Sequence, residues 1–160
     1  MSKARSFITY WLPVVIWMAV IFSASADSGS VRHSSRILVP LLHWLFPHMP
    51  ESTVRLIVLI ARKGAHLTEF ASLGLLLWRA LRKPARRASQ PWCWQTAGWA
   101  VLLVAVYAAS DEFHQRFVPG REASVHDVMI DTTGAVLGLL LLWAAGRWCR
   151  WWRTEPAEKP

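Results

Sequence analysis

Between Tyr107 and Gly134 the chain crowds Asp111, Glu112, His114, Gln115, Arg116, Arg121, Glu122, His126, Asp127 and Asp131 into and between two runs that are otherwise almost wholly apolar. Whichever way such a chain is threaded, these groups lie close to lipid, where ionisable side chains are costly and by default pair with one another, line a cavity or bind something. Any fold must therefore bring them together. The 160 residues are 54% hydrophobic and include 11 Trp, the profile of a small multi-pass membrane protein rather than a soluble domain. A formal net charge of +8 raises nucleic acid as a partner, but the Lys and Arg residues flank apolar runs instead of forming one basic face. Membrane flanks account for them, and no nucleic acid is expected. The two cysteines, Cys93 and Cys149, lack metal-ligand spacing and are expected as free thiols.

The apolar pattern predicts an all-α fold: a polytopic integral membrane four-helix bundle with spans at about 7–25, 56–78, 92–110 and 128–146. One domain covers 1–150, and 151–160 is expected as a polar cytoplasmic tail. The first run, preceded by Lys3 and Arg5 and followed by Ala24-Ser25-Ala26, fits either an uncleaved helix or a signal peptide cleaved after Ala26. Its length and its Trp11 and Trp17 favour the uncleaved helix. In the connection that follows, residues 27–55, Ile37, Leu38, Leu41, Leu42, Leu45 and Phe46 share one helical face, opposite Arg32, Arg36 and His43. That pattern predicts a short interfacial helix in the first outer loop, kinked at Pro40 and ended by Pro47.

Eleven of the 18 Lys and Arg residues lie at the N-terminus, in the loop after the second span and in the C-terminal segment. The positive-inside rule then places both termini in the cytoplasm. With four spans in this orientation, three polar sets converge at one depth on the outer side. Arg62, His66 and Glu69 share a stripe ~60° wide on the second helix, with Lys63 beside it. Asp111 to Gln115 end the third helix. On the fourth, Asp127, Asp131, Gly134 and Gly138 recur at i, i+4, i+7 and i+11, and the GxxxG spacing lets a neighbouring helix approach closely.

One account of these groups is a structural network in which Arg62 pairs with Glu69, Lys63 with Asp111 and Arg121 with Asp127. Buried ion pairs of this kind roughly break even for stability, because desolvation costs several kcal/mol per ion. The set is also richer than four helices need for locking together. Arg62, Lys63, Arg116 and Arg121 face Glu69, Asp111, Glu112, Glu122, Asp127 and Asp131, and the excess of carboxylates suits protonated carboxyls, a proton pathway or a divalent metal. Asp127, Asp131 and His66 are of the right type for a hard cation, although no fixed metal-ligand spacing is present.

At these residues the chain resembles the VanZ-like family of bacterial membrane proteins, named for a protein associated with teicoplanin resistance. The resemblance runs in order through RKGAHLTEF (62–70), YAASDEFHQRFVPGR (107–121) and SVHDVMIDTTGAVLG (124–138), with similar SAS and SS elements in the first loop. It implies a four-helix integral membrane fold, with the family's polar positions falling on Arg62, Lys63, His66, Glu69, Asp111, Glu112, Gln115, Arg121, Ser124, Asp127 and Asp131.

The functional expectation is action at the outer leaflet of the bacterial cytoplasmic membrane on a phosphate-linked lipid or lipid-carrier head group, as a hydrolase or transferase of cell-envelope biogenesis. Membrane lipids and a lipid-linked envelope precursor are the expected partners. His66, Asp111 and Asp127 are assigned to general acid/base work, with Asp127 or Asp111 orienting the imidazole. Arg62, Lys63, Gln115, Arg121 and Ser124 are assigned to substrate, and Glu69, Glu112 and Asp131 to structure. Two other classes fit the same residues: an ion- or proton-coupled transport or binding component, and a non-catalytic partner in an envelope complex.

Overall fold

In a computed structural model of the chain, residues 3–26, 30–82, 91–118 and 123–152 are described, and among them every regular element is a helix. The helices are α1 (Lys3–Tyr10), α2 (Leu12–Ala26), α3 (Ser30–Leu45), α4 (Glu51–Arg82), α5 (Trp94–Gln115) and α6 (Val125–Trp148). The break between α1 and α2 at Trp11 has a local cause: Pro13 has no N–H to give to the carbonyl one turn back. The chain still carries on through Trp11 N–H to Phe7 O (2.8 Å) and Val15 N–H to Trp11 O (3.0 Å).

α3 contains Pro40 and stops two residues before Pro47, in line with the expected helix. The extent of α4 differs from expectation. α4 begins five residues ahead of the expected second span, because the Pro50 carbonyl accepts from Thr53 N–H (2.9 Å) and Val54 N–H (3.1 Å) and so opens the helix early. Glu51 sits in that first turn, where its charge suits the helix dipole, and lies 3.2 Å from His43 Nε2 at the end of α3. Of the connection expected over 27–55, residues 30–45 form α3, 46–50 a short turn and 51–55 the first turn of α4.

α4 and α6 share the largest interface, α5 packs against both, and α2 closes the group against α4 and α5. Val14, Ile21, Phe70, Leu73, Val104, Ala108, Ala135 and Leu139 form the buried apolar core. The pairing of α4 with α6 follows from small residues. A Cβ added at Gly138 would come within 3.1 Å of Ala71 Cβ, one at Gly74 within 2.9 Å of Ala135 Cβ, and one at Gly134 inside the van der Waals surface of the Leu67 carbonyl. The GxxxG face meets α4, and larger side chains there would hold the two backbones apart.

The two ends of the bundle differ in chemistry. About 18 Å along α4 from His66, at 1.5 Å per residue, Trp78 stacks on Trp92 with centroids 5.1 Å apart, and Trp152 meets both edge-on at 5.8 and 5.4 Å. The Arg82 guanidinium lies 4.8 Å from the Trp78 ring and 5.0 Å from that of Trp152, and donates to Pro91 O at 2.9 Å. Trp152 reaches this cluster because α6 ends in a reversal: Arg150 adopts a left-handed φ of 59°, and Trp151 N–H returns to Gly146 O at 2.9 Å. The packed chain therefore runs on to Trp152, two residues into the expected tail. Residues 153–160 lie outside the described residues.

Among the described residues α6 is the one helix both long and apolar enough to cross a membrane by length and composition. Leu12–Ser25 is apolar but shorter. α4 and α5 have the length, but Arg62, Lys63, His66 and Glu69 in one, and Trp94, Gln95, Asp111 and Glu112 in the other, dilute their hydropathy. Of the four expected spans, one meets that criterion by itself.

Candidate functional site

Arg62, Lys63 and His66 on α4, Asp111, Glu112 and Gln115 on α5, and Asp127 and Asp131 on α6 sit in the half of their helix remote from the Trp cluster, and Glu69 lies just past the middle of α4. Asp111 is 2% exposed, and its Oδ2 accepts hydrogen bonds from Ser25 Oγ (2.7 Å) on α2 and from Gln115 Nε2 (2.9 Å) one turn along α5. Its Oδ1 is buried and has no hydrogen-bond partner among the described residues. Two donors on one oxygen hold this carboxylate rigidly. Losing the acceptor would strand both donors, at about 1–3 kcal/mol for each buried group left unsatisfied.

Lys63 Nζ donates to Asp127 Oδ1 in a half-exposed ion pair that bridges α4 and α6. One turn deeper, His66 Nδ1 lies 3.9 Å from Oδ1 of Asp131, which is 2% exposed. That separation is longer than a hydrogen bond. Glu112, Asp111, Asp127 and Glu69 lie close enough to Asp131 to act on it electrostatically. Carboxylates from three helices thus converge, as the helical spacing predicts.

The pairing differs from the sequence-based network. Lys63 meets Asp127 rather than Asp111, and the carboxylate nearest His66 is Asp131 rather than Asp127 or Asp111. Among the described residues no ion pair joins Arg62 to Glu69; the Glu69 backbone carbonyl instead accepts from Trp17 Nε1 at 2.9 Å. The physical reason is register. With α4 and α6 brought together at Gly134 and Gly138, residues 63 and 66 face 127 and 131 across the interface, whereas Asp111 is turned toward α2. Arg121 and its expected pairing with Asp127 lie outside the described residues.

Ser124, expected at the substrate, is the N-cap of α6: its Oγ accepts from His126 N–H (3.1 Å), and its own N–H donates to Glu112 Oε2 (2.8 Å). Ser-x-x-Asp at 124–127 ahead of an apolar run was a readable capping signature. Glu112 therefore ties the end of α5 to the start of α6. Two residues of the site had no assignment from sequence. Ser25 gains its role only from the packing of α2. His114 packs against Phe22 with ring centroids 4.5 Å apart and the planes tilted by 40°, and its Nδ1 is buried without a hydrogen-bond partner among the described residues. The SAS element was the signal for Ser25.

Among the described residues no three His, Cys, Asp or Glu side chains are disposed to hold a metal ion. Lys63 pairs with Asp127, and the bonds of Asp111 run to Ser25 and Gln115. The family model described as VanZ/LLP1 matches residues 10–147, from the end of α1 almost to the end of α6. The chain belongs to the VanZ/LLP1 family. The match takes in Ser25, the whole polar cluster and the glycine face that aligns it, so the site belongs to the family's domain and not to an appendage. No curated protein and no solved structure matches the chain at significant similarity.

Proposed function

We propose that this VanZ/LLP1 protein is a multi-pass protein of the bacterial cytoplasmic membrane that acts at the outer leaflet on a phosphate-linked lipid or lipid-carrier head group. The observation that carries this reading is an inverted distribution of polarity. Asp111, Glu112, Gln115 and Asp131 are buried, while Val15, Ile16 and Val20 on α2, Trp99, Leu102 and Val106 on α5, and Leu137 and Leu141 on α6 face outward. Water would not sustain an apolar belt of that extent, whereas lipid would. α3 fits the same solvent, since Ile37, Leu41, Trp44 and Leu45 are exposed on it.

α2 is bound into the site by Ser25, by Trp17 Nε1 on Glu69 O, and by the Tyr107 hydroxyl donating to Met18 O at 2.6 Å. This favours a first helix that stays in the bundle over one removed after Ala26. In this reading Lys63 and Arg62 supply positive charge for a phosphate, and His66, 3.9 Å from Asp131, moves a proton to or from a reacting oxygen. The crowding of carboxylates around Asp131 also favours a second reading, a proton-coupled transporter, which would show as proton-linked flux in proteoliposomes.

Two measurements test the proposal. Cys93 and Cys149 are exposed at the Trp-rich end, expected to be cytoplasmic, and His48 is exposed in the turn between α3 and α4. In right-side-out vesicles an impermeant thiol reagent should label His48→Cys and reach Cys93 and Cys149 only after permeabilisation; the opposite pattern would invert the orientation. Deleting the protein should change the level of a phosphate-linked envelope lipid. An unchanged lipid inventory would leave the head-group reading without support.

A further inference from the structure

α2 and α5 run side by side, and each offers the other a stripe at i, i+4 and i+7: Met18, Phe22 and Ser25 on α2 against Tyr107, Asp111 and His114 on α5. The seam changes in character along its length. Toward the Trp cluster it is firm: the Tyr107 hydroxyl donates to Met18 O at 2.6 Å, Trp17 Nε1 reaches Glu69 O at 2.9 Å, and Val14 and Ile21 are buried in the core. At the site end Ser25 Oγ donates to Asp111 Oδ2 at 2.7 Å, and Phe22 packs against His114. Along that last turn Asp111 Oδ1 and His114 Nδ1 are buried without a hydrogen-bond partner among the described residues.

Closure of this turn therefore has a cost that offsets its gain. A buried polar group left without a partner costs about as much as one hydrogen bond to a carboxyl group returns, and here two such groups stand against the bond from Ser25. Moving the turn away gives both atoms access to water or to polar head groups, and the apolar side chains of α2 lose little, because acyl chains replace the helix they leave. The turn also has a place to bend. Ser23 Oγ donates back to Ala19 O at 2.7 Å, a bond that competes with the helix's own and commonly bends it, and Ser23 lies between the firm part of the seam and Ser25. Asp111 is 2% exposed, so a ligand reaches its carboxyl group only if a neighbour moves.

We propose that the last turn of α2 is a gate over this end of the site, latched by Ser25 on Asp111, hinged at Ser23, and opening to bring Asp111 and His114 within reach of a head group in the outer leaflet. This rests on the head-group reading above and gives it a route of entry. Double electron–electron resonance on the full-length protein in nanodiscs tests it, with Cys93 and Cys149 replaced by Ser and spin labels at Ala24→Cys on the gate and Thr133→Cys on α6, both exposed positions. Two distances should be populated. Ser25→Ala removes the latch and should raise the ratio of the longer to the shorter distance roughly tenfold, the worth of one hydrogen bond to a carboxyl group. Ser23→Ala removes the competing bond and straightens the hinge, so it should move the ratio the other way. A single distance that neither substitution moves would overturn the gate, and shifts in the same direction would do so equally, marking a general loosening of α2. Neither result touches the head-group reading, which the lipid inventory of the deletion strain tests by itself.

Discussion

Gly134→Ala is expected to lower the amount of folded protein sharply, although it adds a single methyl group. That methyl would overlap the carbonyl oxygen of Leu67 and approach Leu67 C and Cα to 3.1 Å. Backbone of a packed helix cannot rotate away as a side chain can, so α4 and α6 must part along their largest interface. Overpacking of this kind costs typically about 1–3 kcal/mol, and the lost register adds the Lys63–Asp127 ion pair to the damage. Gly64→Ala is the matched control: its Cβ meets nothing within 4 Å, so it should be neutral or stabilise the helix by about 0.5–1 kcal/mol. Thermal unfolding in detergent, with monodispersity on size exclusion, compares the two. Equal midpoints for Gly134→Ala and wild type would mean that the helices are not in the close contact described.

The second large effect is on function. His66→Ala should leave the fold intact, because the imidazole is part-exposed and its contact with Asp131 at 3.9 Å is not a hydrogen bond. If the imidazole moves a proton to or from the head group, its loss should cost ~10²- to 10⁴-fold in rate. The lipid profile of a strain carrying His66→Ala should then match that of the deletion strain. Asp131→Asn keeps the shape of its neighbour but cannot take up or release a proton, and should give a smaller loss as a positioning effect. A wild-type profile with well-folded His66→Ala would remove the assignment of His66, and the same result in Asp131→Asn would remove the pair.

Periodicity alone established that Arg62, His66 and Glu69 share a stripe and that Asp127, Asp131, Gly134 and Gly138 share a face. Both depend only on 100° per residue within one helix, a local property that the chain carries wherever it goes. The all-helical class, the gathering of the polar sets in one half of the bundle, and the packing of a glycine face on a neighbour follow from the same local rules together with the cost of stranding charge in apolar surroundings. Which carboxylate meets which cation did not follow. Lys63 with Asp127, His66 beside Asp131, and Asp111 held by Ser25 depend on how far each helix is rotated and slid against the next. One residue of slip turns a side chain by 100° and moves it 1.5 Å, enough to exchange one partner for another. Close contact at Gly74, Gly134 and Gly138 sets that rotation and rise, and it is a property of two surfaces meeting rather than of either helix read alone.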